Sequence, residues 1–315
     1  MSRYINPFTD FGFKHLFGSE SNKDILISFL NAVLPDQTIA NLQYKNVERQ
    51  GITEAERKVI FDLHCENEEG EKFIVELQRA KQEYFKDRTI YYSTFPIQEQ
   101  AVRGEDWNYE LKHVYTISIL NFRFQNPITN RKDTTVKHVV KLLNTETKEV
   151  FYDKLTFVYL QMPNFTKTED ELETIEDKWY YVLRNLEILE RMPAPLQEKI
   201  FSYFFDSAEL ANLPRPTRME YEESLKQLRD WKNVMRMAEK EAAEKGMRQG
   251  MKKGLKQGLE QGLEQGREEE RKKAQQKEIA AIKNLLTQTD FSVAQIAAFL
   301  SVEEDLVEKV KNNEL

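Results

Sequence analysis

Residues 58–79 read KVIFDLHCENEEGEKFIVELQR, two strand-like runs joined by a short acidic turn. Residues 59–66 and 72–78 are rich in β-branched and aromatic side chains, the composition of a half-buried strand. Asp62, Glu76 and Gln78 stand where a core strand would carry apolar residues. Burying carboxylates in a sheet costs free energy unless something compensates them. The usual compensation for two of them is a divalent cation. That composition points to metal-dependent chemistry on phosphodiesters.

The turn decides whether the acids meet. If Glu68, Glu69 and Gly70 form a three-residue loop, Asn67 pairs with Glu71 and paired positions sum to 138. Asp62 then lies opposite Glu76, with His64 and Gln78 on the same face. Gly70 sits where such a loop needs a left-handed residue. A two- or four-residue loop would send the two carboxylates to opposite faces. In the favoured register they stand about 5 Å apart, close enough to share one hard cation, Mg2+ or Ca2+. Lys14, Lys81, Arg79 and Arg88 are the nearby cations suited to holding phosphate oxygens. A solvent-facing hairpin with acids on its wet side is the competing reading.

The whole chain sets the frame. At 315 residues, with 19 Phe, 13 Tyr and 3 Trp, it can bury a large core. A net charge of -7 argues against a surface coated for nucleic acid while leaving room for a local basic cleft. The single cysteine, Cys65, excludes a disulfide framework and suits a reducing compartment. No run of about 18 apolar residues occurs and the N-terminus has no signal-peptide core, so a cytoplasmic protein without a membrane span is expected. There is no Walker A loop, no dinucleotide fingerprint and no zinc spacing.

Residues 22–33 show helical spacing and stop before Pro35. Residues 84–100 are aromatic, with Pro96 interrupting any simple helix. Residues 112–120 and 154–162 read as strands, the first apolar on both sides and hence central. Residues 177–191 and 196–205 return to helical patterns. The order implies a mixed α/β domain over residues 1–217.

All nine prolines lie at or before Pro216, and six of the eleven glycines fall between Gly246 and Gly266. A tail over residues 218–285 therefore follows, with glycine at every fourth position and Met247, Met251, Leu255, Leu259 and Leu263 in the same register. A step of four advances about 40° past a full helical turn, so both stripes wind slowly. As a lone helix the glycines cost roughly 1 kcal/mol each. Two readings stand: a tether, or a close-packed helical pair that makes the chain a homo-oligomer. Residues 286–315 form a small helical hairpin, helices 293–300 and 303–311, with Ser292 or Ser301 as caps.

Asp62 followed by Glu76-Leu77-Gln78 resembles the D…(D/E)xK core of PD-(D/E)XK nucleases, with glutamine in the lysine position. The opening Asn6-Pro7-Phe8-Thr9-Asp10-Phe11-Gly12-Phe13-Lys14, then Leu16-Phe17-Gly18, resembles the Rpn (recombination-promoting nuclease, transposase-like) family of that clan. Phe85, Arg88, Tyr91-Tyr92, Asp177-Lys178-Trp179 and the glycine-every-fourth tail are similar too, so the likeness covers residues 3–270. The resemblance implies a restriction-endonuclease-like core with a mixed central sheet flanked by helices. It implies a metal-dependent DNA endonuclease tied to recombination or mobile elements, with Asp62 and Glu76 as metal ligands. Gln78 replaces the lysine and carries no positive charge, so Lys14 or Lys81 compensates or activity is low. The alternative is a nuclease fold kept for DNA binding and self-association alone.

Overall fold

A computed structural model describes residues 2–34, 37–49, 59–101, 108–124 and 133–314; Pro35 and Lys58 lie outside these. It divides into two compact units, Met1–Trp231 and Lys232–Leu315.

The first unit opens with helices α1 (Asp10–Phe17) and α2 (Lys23–Val33). Short strands β1 (Gln43–Tyr44), β2 (Glu48–Arg49) and β3 (Val59–Ile60) lead to the hairpin β4 (Leu63–Glu66) and β5 (Lys72–Gln78). Helix α3 (Phe85–Gln98) crosses to β6 (Val114–Leu120), and β7 (Lys137–Leu143) and β8 (Val150–Gln161) complete the strands. Helices α4 (Ile175–Asn185), α5 (Lys199–Ala208) and the start of α6 (Arg215–Gln288) follow.

Six strands make one mixed sheet in the order β1-β4-β5-β6-β8-β7. Pairs β5–β6 and β6–β8 are parallel; the others are antiparallel. Every residue of β6 is buried, as expected of a central strand covered on both faces. On one face Val75, Ile117, Ile119 and Leu160 meet Phe17, Phe29, Trp179 and Phe204 of α1, α2, α4 and α5. Trp179 lies edge-on to Phe29 and Phe204, so it is a packing residue. The other face is covered by α3, whose Tyr92 and Phe95 pack on Phe61 and Ile74, while Phe85 joins Leu120, Phe157 and Tyr159.

Two expectations are corrected, and one strand was not expected. Residues 59–66 are not one strand: β3 pairs with β2, β4 pairs with β5, and Phe61 and Asp62 lie at the break. Pro96 does not interrupt α3, which runs through it and stops two residues later. Proline there falls in the last turn, where few intrahelical bonds remain to lose. Strand β7 has no counterpart in the sequence reading because Val139, Val140, Leu142 and Leu143 are all half exposed, which breaks the alternation that betrays a strand.

In the second unit α6 continues as one helix, and α7 (Val293–Leu300) and α8 (Glu304–Lys311) fold against its end through Ile282, Ile296, Val307 and Val310. Ser292 caps α7, its hydroxyl accepting from the Gln295 amide, while Ser301 is the left-handed residue that ends α7.

Candidate active site

Loop chemistry sets the geometry. The Asn67 amide donates to the Glu71 carbonyl and the Gly70 amide to the Asn67 carbonyl, both at 3.1 Å. Gly70 has φ 82°, a conformation other residues adopt only with strain. The Asn67 side chain braces the turn, accepting from the Glu71 amide at 2.8 Å. The ladder that follows pairs Leu63 with Val75, His64 with Ile74, Cys65 with Phe73 and Glu66 with Lys72, each pair summing to 138. One step further in that register, Asp62 opposes Glu76.

At that step side chains take over from the backbone. The Asp62 amide donates to Glu76 Oε1 at 3.1 Å, and the Leu77 amide donates to Asp62 Oδ2 at 2.7 Å. Each carboxylate is thus held by a main-chain amide of the opposite strand. This crossed pair sits at the break between β3 and β4.

Two carboxylates pressed together out of water cannot both ionise cheaply. Burial, and then the charge of Asp62, push the Glu76 carboxyl up from 4.5 to about 8. Asp62 is also raised, chiefly by burial, against the pull of the Leu77 amide, Lys14 and Arg79. The pair is short of positive charge, and the raised carboxyl keeps its proton instead.

A family model described as PD-(D/E)XK nuclease family transposase matches residues 7–238. The chain belongs to that family. No curated protein and no solved structure matches it. The mixed six-stranded sheet flanked by helices is the α/β fold of a PD-(D/E)XK protein.

In this transposase-family chain Asp62 opens into a cleft of about 230 Å³ walled by Asp10, Phe13, Leu77 and Arg79. Glu76 is buried behind it, and Gln78, also buried, donates to Glu76 Oε2 at 3.3 Å. Arg88 reaches in from α3, its Nη2 3.7 Å from the same Glu76 oxygen. Arg79 is brought to Asp62 and Arg88 to Glu76. Lys14 forms a 3.0 Å ion pair with Asp10, one turn back on α1, while its charge acts on Asp62. Lys81 is exposed and does not line the cleft. Thr9 caps α1, its hydroxyl accepting from the Gly12 amide at 2.8 Å. His64 faces Phe61 and the Asn46 carbonyl, and Cys65 lies in the main core away from the acids.

Asp62 and Glu76 supply hard oxygen donors, the chemistry a magnesium-like ion takes. Among the described residues no group of three His, Cys, Asp or Glu side chains is placed to hold a metal. An ion here would use two protein carboxylates and fill its shell with water and phosphate oxygens, as magnesium commonly does.

The sequence reading placed residues 112–120 as a central strand but did not bring its polar side chains to the site. Ser118 on β6 is in register with Glu76, fully buried, and its hydroxyl has no hydrogen-bond partner among the described residues. Thr116, two residues earlier, is in the same state. The polar residues of Val114–Leu120 were the available signal, since a strand buried on both faces has no cheap place for them.

Proposed function

We propose that this chain is a metal-dependent DNA endonuclease that hydrolyses phosphodiester bonds, acting in recombination or on mobile elements. The observation that carries this reading is the crossed carboxylate pair, Asp62 and Glu76. Each is oriented by an amide of the opposite strand, and the pair is left short of positive charge. A bound divalent cation, Mg2+ or Ca2+, would polarise the scissile phosphate and lower the pKa of a water. Asp62 and Glu76 would hold it, Gln78 orients Glu76 through its amide, and Arg79 faces the phosphate across the Asp62 cleft. Lys14, paired with Asp10 of the cleft wall, adds positive charge that acts on Asp62.

Plasmid nicking with added magnesium or calcium, wild type against D62A and E76Q, tests the reading. Cleavage by wild type and its loss in both variants is expected. Equal cleavage by all three, or none by wild type with either metal, refutes it and leaves a nuclease fold used for DNA binding. Among the described residues no helix is long and apolar enough to cross a membrane.

For the tail we infer a second copy of the chain as partner. Met247, Met251, Leu255, Leu259 and Leu263 are exposed along α6, and a β-carbon added at any of the six tail glycines would meet nothing within 4 Å. In one register of the repeat stand Arg248, Lys252 and Lys256, then Glu260, Glu264 and Glu268. Antiparallel pairing about Gly258 sets base against acid; parallel pairing sets like against like. An antiparallel pair brings residue 257 of one copy about 3 Å along the axis from its mate, and residue 249 about 27 Å. Q257C therefore forms a self-disulfide while Q249C does not. A monomer by light scattering, or equal cross-linking of both variants, overturns the pairing.

A further inference from the structure

Family resemblance expects a lysine where this chain has Gln78, and a glutamine brings no charge to the transition state. We propose that Arg88, from helix α3, is the catalytic residue that supplies this charge, gripping the scissile phosphate through Nε and Nη2; the proposal rests on the nuclease reading above.

Three observations converge. The first is position. Gln78 Nε2 lies 3.3 Å from Glu76 Oε2, and Arg88 Nη2 lies 3.7 Å from that same oxygen. Arg88 therefore sets its charge on the atom to which a side chain at position 78 also reaches. Lys14 and Arg79 act on Asp62 instead, and Lys81 does not line the cleft.

The second is orientation. Arg88 lies in the first turn of α3. Its Nη1 donates to Gln82 Oε1 at 2.6 Å, and its guanidinium carbon sits 5.2 Å from the centre of the Tyr92 ring, one helical turn on. These contacts hold the guanidinium plane from its far side and from its face. The edge bearing Nε and Nη2 is left uncovered by them, with Nη2 on the Glu76 side. A planar fork held in advance loses little freedom when it meets an anion.

The third is an unfilled valence. Arg88 Nε is buried and has no hydrogen-bond partner among the described residues, although the side chain as a whole keeps 29 % of its exposure. A buried donor left unpaired is costly in a folded protein, and such a group calls for a partner. Nε and Nη2 together form the side-on fork that binds two phosphate oxygens.

In the step itself a water oxygen bonds to phosphorus and the bond from phosphorus to the leaving ester oxygen breaks, its electron pair staying on that oxygen. The water's proton passes to solvent, and the leaving oxygen takes one from solvent. One water is consumed and nothing is oxidised or reduced. Arg88 stays protonated throughout and stabilises the added negative charge on the non-bridging oxygens.

The test uses full-length wild type, R88A, R88K, Q78K and the Q78K/R88A double variant in magnesium-dependent duplex cleavage. Removing a donor of this kind lowers kcat by about 100- to 1,000-fold, so R88A is expected to fall in that range with KM changed less than about threefold. R88K, with charge but no fork, falls between. Moving the charge back to position 78 is the decisive arm. Q78K/R88A should recover at least about tenfold over R88A, whereas Q78K alone, which loses the Gln78 amide bond to Glu76, should not exceed wild type. Recovery also shows that loss in R88A is not misfolding. A rise in KM at unchanged kcat makes Arg88 a ground-state phosphate contact and overturns the proposal, as does a double variant no better than R88A. A readout independent of turnover is phenylglyoxal labelling of Arg88, followed by mass spectrometry, with and without a phosphorothioate duplex. An unprotected Arg88 in a wild type that cleaves sinks this proposal alone. No cleavage by wild type ends the nuclease reading and the catalytic role together, and protection then marks a DNA contact only.

Discussion

The raised Glu76 carboxyl makes a measurable claim about stability. In the unfolded chain Glu76 loses its proton near 4.5; in the folded chain, without a metal, it does so near 8. Between those values the folded state holds a proton that the unfolded state has released. Stability therefore falls as pH rises through this window and is regained on acidification. One such proton, with the pKa moving from 4.5 to about 8, costs about 2.5 kcal/mol between pH 5.5 and pH 7.5. E76Q removes the titration while keeping an oxygen to accept from the Asp62 amide. The assay is urea unfolding in EDTA at several pH values, reading the slope of wild type against E76Q. Wild type should lose stability relative to E76Q as pH rises, and magnesium should flatten the difference by taking the proton's place. Parallel pH profiles for the two proteins would refute the argument that the carboxylates compete for one positive charge.

Other expectations follow from single residues. A methyl at Gly12 would lie 2.2 Å from the Asn6 carbonyl and 2.6 Å from the Thr9 hydroxyl, so G12A should lower the thermal midpoint sharply, by an overpacking cost of about 1–3 kcal/mol or more. G70A keeps the hairpin sequence but strains a φ of 82°, costing about 1–2 kcal/mol in unfolding experiments. S292A removes the α7 cap and should destabilise the second unit by about 1 kcal/mol, visible as faster amide exchange over α7. G250A/G254A should slow amide exchange in the tail, since each alanine favours helix by about 1 kcal/mol and has open space for its methyl. Loss of self-association in that variant would instead show that the pair packs through its glycines.

How much of this was legible beforehand follows the range of each interaction. The hairpin register was, because loop length and the need for φ > 0 at Gly70 are local, and strand parity then carries them to Asp62 and Glu76. The amphipathic helices α2, α4, α5, α7 and α8 were legible for the same reason: a repeating pattern reports on one face of one element. The tail's charge reversal at Gly258 is likewise written in the residue order. Strand β7 was not, since both its faces are half exposed and only pairing with β8 makes it a strand.

Sequence alone determined that Asp62 and Glu76 must oppose each other, because covalent spacing and turn geometry decide that within twenty residues. Only the tertiary structure decided what lies around the pair. Arg88 is twelve residues beyond Glu76, yet α3 lies over the sheet and returns it to the carboxylate at 3.7 Å. Ser118 arrives from a parallel strand that can pair only after a crossover through α3. Burial by those elements turns two ordinary acids into a site that holds a proton to about 8. The physical reason is that desolvation belongs to no residue; it is made by the neighbours the fold assembles.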